Sequence, residues 1–100
     1  MKYNDRALAV TPHAVARFRE RASAGFLDNE WIRRIIARAV ARGVAEPHYV
    51  PGQARVRLTV AGSSDVYAIV GRDETGWSDS GVAVVTVLTA EQVEAREVHA

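Results

Sequence analysis

Val82-Ala83-Val84-Val85-Thr86-Val87-Leu88 is apolar on both of the faces a strand presents, with Thr86 its one polar residue. A strand with one wet face would carry a polar residue at every second position. This stretch is therefore expected at the centre of a sheet, with helices on one side and a further element covering the other. The rest of the chain then has to supply neighbouring strands and a helical layer.

The strands lie just upstream. Residues 66–70 read as a strand returning from the hairpin loop Ala61-Gly62-Ser63-Ser64-Asp65. Before that loop, Val56, Leu58 and Val60 alternate with Arg55, Arg57 and Thr59, the period-2 signature of a half-buried strand. Residues 71–81 are polar, with Trp77 the one large apolar side chain. A loop of that length in a small domain is either mobile or functional. Residues 44–53 contain Pro47, Pro51 and Gly52 and read as a connector.

Further back the period changes to that of a helix. Asp28 is an N-cap, Gly43 a stop, and the helix between them runs from about Asn29 to Arg42. Trp31, Ile32, Ile35, Ile36, Ala39 and Val40 form one apolar face, expected to pack on the sheet with Phe18 beside it. Arg34, Arg38 and Arg42 line the opposite side. An earlier helix starts at Thr11-Pro12-His13, because threonine caps well and proline fits the first helical position. It runs to about Ser23, with Ala14, Val15, Phe18 and Ala22 on its apolar face. After the central strand, Thr89-x-x-Gln92 is a capping-box pattern for a short acidic helix.

The fold expected is α+β in a single domain spanning residues 1–100. Two N-terminal amphipathic helices pack on a three- to four-stranded antiparallel sheet, and a short C-terminal helix follows. Residues 3–10 are the source of the fourth strand.

Composition narrows the chemistry. The chain has no cysteine, which excludes disulfides and cysteine-based zinc or iron–sulfur sites. No apolar run approaches the roughly 20 residues of a membrane helix. The stretch Ala7-Leu8-Ala9-Val10 is too short for a signal-peptide core, so a cytoplasmic protein without a membrane partner is expected. The net charge of +1 hides an asymmetry: residues 1–57 hold eleven Lys/Arg against five Asp/Glu, and residues 58–100 hold two against seven. A basic half marks a phosphate-binding surface or simply complements the acidic half.

On the first helix His13, Arg17 and Arg21 follow one another at i, i+4 and i+8, a stripe bordering the apolar face. Histidine can move a proton near neutral pH, and arginine can hold a phosphate through two hydrogen bonds. Cleavage of RNA without a metal needs such groups: a base for the 2′-hydroxyl, cations for the charge developing at phosphorus, and an acid for the leaving oxygen. A helix-boundary histidine and an Arg17–Glu20 ion pair are the plain structural alternative. Arg55 and Arg57 share one strand face and read either as a phosphate-binding pair or as the wet side of a sheet. Thr86 either bonds locally within its strand or offers its hydroxyl to a cleft. His48 and Tyr49 sit in the connector and read either as site candidates or as part of a solvated loop, and His99, next to the end of the chain, is discounted. The three histidines show no metal-ligand spacing, and no glycine-rich phosphate loop or other cofactor motif is present.

The His13-Ala14-x-x-Arg17-x-x-x-Arg21 helix opening, the helix–helix–sheet order and the late Val85-Thr86-Val87-Leu88 strand together resemble small bacterial and phage proteins of the domain-of-unknown-function 4258 type. Those are similar in fold to RelE-like and barnase-like ribonuclease toxins. The resemblance spans about residues 11–90 and implies metal-independent RNA cleavage. By position, it would make His13 the proton-transfer residue, Arg17 a phosphate contact and Thr86 the hydroxyl on the last core strand. Arg21 and Arg55 or Arg57 would be secondary cations. The implied partners are RNA and an antitoxin or host protein, and a homodimer fits as well. The proline-containing connector departs from the pattern. A different class remains open beside it: a non-enzymatic phage or bacterial protein that binds a host protein, with Trp77 as an anchor.

Overall fold

The computed structural model describes residues 8–22, 25, 27–58 and 66–99. The elements in chain order are β1 (Ala9–Val10), α1 (Pro12–Arg21), α2 (Asn29–Arg42), β2 (Ala45–Pro47), β3 (Ala54–Leu58), β4 (Val66–Arg72), β5 (Val82–Thr89) and α3 (Ala90–His99). The α+β class and the helix–helix–sheet–helix order are as the sequence implies. The expected hairpin loop 61–65 and the end of the preceding strand lie outside the described residues.

The sheet differs from expectation. It has five strands in the order β1-β5-β4-β3-β2, and it is mixed: β1 runs parallel to β5, while the other neighbours are antiparallel. β1, two residues long, falls within the expected 3–10 strand but is parallel to its neighbour, and residues 3–7 of that expectation lie outside the described residues. β2, three residues long, is the strand not expected. Neither is long enough to show a period; β1 is defined by β5, far along the chain, and β2 by β3 across the turn at 48–53. β2 falls inside the stretch expected as a connector. Its Pro47 is tolerated because β2 is an end strand, where a missing N–H costs little.

The helix caps act as the sequence indicates. Thr11 Oγ1 accepts from the Ala14 N–H at 3.1 Å and donates to the Val84 carbonyl at 3.1 Å, so one hydroxyl both starts α1 and ties it to β5. The Asp28 carboxylate accepts from the Trp31 N–H at 2.8 Å. Thr89 and Gln92 exchange bonds at the start of α3, Thr89 N–H to Gln92 Oε1 at 2.9 Å and Gln92 N–H to Thr89 Oγ1 at 3.1 Å.

α1 packs on β5, and α2 contacts both β1 and β3. Between these helices and the sheet lies the main core, where Phe18, Ile32, Ile36, Leu58, Val84 and Val87 are fully buried. Each of these side chains contributes on the order of 1.5–3 kcal/mol before entropy is counted. Trp31 does not join them: it is 56% exposed. The buried arc of α2 runs through Ile32, Ile36 and Ala37, with Ile35, Ala39 and Val40 half-buried beside it. Trp31 stands about 140° around the helix from Ile36, so the buried face is narrower than the apolar pattern implies.

The second sheet face has its own small cluster of Ile69, Leu88 and Val93, with Tyr67 and Val85 against it. Val93 belongs to α3, which is the element covering the far side of the central strand. No helix among the described residues is long and apolar enough to cross a membrane.

Candidate nucleic-acid interface

The β3–β4–β5 register decides which polar side chains can act together. Arg55 pairs with Ile69 and Ile69 with Thr86; Arg57 pairs with Tyr67 and Tyr67 with Leu88. Directly paired residues point to the same side of a sheet. Ile69 and Leu88 belong to the α3-side cluster, so Arg55, Arg57, Tyr67 and Thr86 all lie on that face. A register shift between Ile69 and Val70 takes the pairing from Thr86 directly to Val84, leaving Val85 as the extra residue. Without that bulge, Val84 and Thr86 would point the same way. With it, Val84 enters the helical core and Thr86 faces α3.

On this face three neighbouring strands present a row of interacting side chains. Arg55 Nε lies 3.7 Å from the carboxylate of Glu46, its register partner on β2. Its guanidinium sits 5.8 Å from the centroid of the Tyr67 ring on the other side. Only 14% of the Arg55 side chain is exposed. A cation held at this distance from a ring gains about 0.5–1 kcal/mol. The more important effect is orientation, since Glu46 and Tyr67 fix Arg55 from both sides. Arg57, two residues on, is exposed, and Tyr67, its register partner on β4, is half-buried.

The helical candidates stand elsewhere. His13 is exposed in the first turn of α1, the helix that packs on the Val84 and Val87 side. Arg17 is bonded to Glu20 at 2.6 Å. The Arg21 guanidinium donates to the main-chain carbonyl of Val87, tying the end of α1 to β5. The sheet stands between this stripe and the face that carries Thr86, Arg55 and Arg57. The six candidates thus divide into a helix group and a sheet group. Within the helix group, Arg17 and Arg21 are engaged by the protein itself.

Two features differ from what the sequence implies. Tyr67 is the aromatic centre of the sheet-face row; its period-2 relation to Ile69 was visible, but its neighbours across the strands were not. His48, by sequence a site candidate or part of a solvated loop, is buried, with its ring centroid 3.9 Å from that of Tyr49 and its main-chain N–H donating to the Gln53 carbonyl at 3.2 Å. Among the described residues no three His, Asp or Glu side chains come together as a metal-holding group.

The polar loop between β4 and β5 is ordered around one carboxylate. Asp73 accepts from the Thr75 hydroxyl, from the Thr75 N–H at 2.9 Å and from the Ser78 N–H at 2.7 Å. These bonds, the Thr75 hydroxyl foremost and the Ser78 N–H next, hold the Asp73 carboxyl well below the usual carboxylate range. The Trp77 N–H donates to Thr75 Oγ1 at 3.1 Å, and Gly76 and Gly81 take positive φ to complete the turn.

Comparison of the chain with family models, with characterised proteins and with solved structures gives no match.

Proposed function

We propose that this chain is an RNA-contacting domain that uses the β2–β3–β4 part of the sheet face opposite α1 and α2. The observation that carries this reading is the row Glu46–Arg55–Tyr67 with Arg57 beside it: an aromatic ring with one fixed guanidinium against it and an exposed arginine as its register partner. Unpaired RNA is recognised by such combinations. Bases stack on aromatic or guanidinium planes, and cations meet the phosphates. Arg57 is assigned to a phosphate, Tyr67 to a base, and Arg55 to the edge of that base or the next phosphate. Thr86 shares the face but lies on β5, on the part of it that α3 covers.

Binding rather than cleavage is the function assigned. Metal-independent cleavage needs a proton donor and a proton acceptor at the same phosphate as the cations. His13 and Arg17, which the toxin-like reading would use, belong to the helix on the other side of the sheet.

The test is binding of a fluorescent uridine-rich single-stranded RNA to the wild-type chain, Arg57→Ala and Tyr67→Ala, over a range of salt. Arg57→Ala should lower the salt slope by about 0.7, the loss of one phosphate contact to a single strand. Tyr67→Ala should weaken binding roughly 5- to 150-fold, the range for one stacked base. Affinity unchanged in both variants, or none in the wild type, would overturn the reading. RNA fragments that appear with the wild type and vanish with His13→Ala would replace it by the ribonuclease reading.

A further inference from the structure

The outer side of α2 carries a row of side chains that the sheet-face site does not use. At 3.6 residues per turn, Trp31, Arg34, Arg38 and Arg42 fall within an arc of about 80°. All four are exposed, Trp31 at 56%, and the indole stands outside the core. Arg34 is paired with Glu30 at 3.5 Å. Arg38 and Arg42 belong to no ion pair among the described residues. Arginines in line with an exposed aromatic ring suit single-stranded nucleic acid, where cations meet phosphates and a ring takes a base.

The row leads to the sheet-face site. Arg42 is the last residue of α2, and Gly43 after it is pressed onto Val56 of β3. The chain then enters β2, the end strand of the sheet, at Ala45. Glu46 follows Arg42 by four residues, which span at most about 14 Å. The Glu46 carboxylate in turn lies 3.7 Å from Arg55 Nε on the sheet face. The bend between them, Gly43-Val44-Ala45, is exposed and uncharged. The acidic loop around Asp73 approaches the other end of α2, where Trp77 shares a cleft with Glu30, Arg33 and Arg34. The positive charge of α2 is thus least neutralised at the end nearest the sheet-face site.

We infer that the RNA strand held on the sheet face turns over the β2 edge and continues along α2, with phosphates on Arg42 and Arg38 and a base on Trp31. This rests on the RNA-contacting reading above and extends it from one face to two. Arg38 and Arg42 are four residues apart, about 6 Å along the helix axis. That separation is comparable with the spacing of neighbouring phosphates in a single strand. An acidic polypeptide would also use the two arginines. RNA is favoured by continuity: guanidinium groups and an aromatic ring recur on both sides of one short end strand.

The probes are fluorescent uridine oligonucleotides of about 4 and about 10 nucleotides, the first long enough for one face and the second able to round the edge. Binding to the full chain is followed by anisotropy over a range of salt. The wild-type salt slope should be steeper for the long probe by about 1.4, the value for two added phosphate contacts on a single strand. Extra registers on a longer strand raise affinity but not this slope. Arg38→Gln combined with Arg42→Gln should bring the long-probe slope down to that of the short probe and leave short-probe binding unchanged. Trp31→Ala should weaken the long probe roughly 5- to 150-fold and spare the short one. All three positions are exposed, so the core is untouched. The inference is overturned, with the sheet-face reading intact, if the short probe binds through Arg57 and Tyr67 while the two slopes are equal or the α2 variants change nothing. It falls together with that reading if neither probe binds. It is also overturned if the long probe depends on α2 but not on Arg57 or Tyr67, because the strand then does not join the two faces. Displacement of the long probe by polyglutamate as readily as by unlabelled RNA would overturn it as well.

Discussion

A β-carbon built on Gly43 would lie 2.3 Å from Val56 Cγ1, closer than real atoms of this kind approach. Gly43 ends α2, and Val56 is a buried residue of β3, so the helix is pressed onto the strand at the one residue without a side chain. Gly43→Ala should therefore destabilise the fold by about 1–3 kcal/mol through overpacking. Val56→Ala opens the space, so the double variant should lose less than the two single variants added together. Urea midpoints of the four proteins measure that coupling. Strict additivity would mean that the helix end is not held by this contact.

Arg21 should behave as a structural residue and not as an RNA contact. Its guanidinium donates to the Val87 carbonyl, which joins the end of α1 to the central strand. Arg21→Ala is expected to lower stability by about 1.5–3 kcal/mol, the range for hydrogen bonds made by charged groups. RNA affinity and its salt dependence should stay as in the wild type. A lowered salt slope in this variant would return Arg21 to the phosphate-binding group.

How much of this was legible in the sequence follows from the range of each signal. The caps at Thr11, Asp28 and Thr89 are local motifs, and each bonds as its spacing implies. The 82–88 stretch announced a central strand because both its faces are apolar, and both are indeed covered. β1 and β2 were not legible as a parallel end strand and a third antiparallel neighbour, because two or three residues carry no period. The phase of α2 was legible at Ile32 and Ile36 but not at Trp31, since composition does not show where a helix rolls on its sheet. The candidate site suffered most. Periodicity put His13, Arg17 and Arg21 on one stripe and Arg55 and Arg57 on one strand face. Which side of the sheet each faces depends on register and on the bulge at Val85, both set by tertiary pairing.

The reciprocal bonds between Thr89 and Gln92 make the start of α3 sensitive to either residue. Thr89→Ala should cost about 1 kcal/mol, and Thr89→Ser much less, because serine caps as well as threonine. The loss should be felt beyond the helix, since Val93 of α3 covers Ile69 and Leu88. Amide exchange at Ile69 and Leu88 reports it: faster in Thr89→Ala and close to wild type in Thr89→Ser. Equal exchange in all three would show that α3 is held by packing alone.

Acid should loosen the Trp77 loop through Asp73. Its carboxyl is held below the usual range in the folded chain by bonds to the Thr75 hydroxyl and the Ser78 N–H. A carboxyl depressed in this way contributes its full stabilisation above the unfolded-state value of about 3.9. The contribution declines as the pH falls below that value toward the folded pKa. The loop should thus be unchanged from neutrality to about pH 5 and open progressively below about pH 4. The Ser78 and Trp77 amide resonances are the direct readout, because both N–H groups bond within this network. Asp73→Asn keeps one acceptor but lacks the charge, and its amide nitrogen cannot accept from Ser78. In that variant the Ser78 amide should already exchange faster at neutral pH and show no acid transition. An identical acid transition in both proteins would assign the change to another carboxyl.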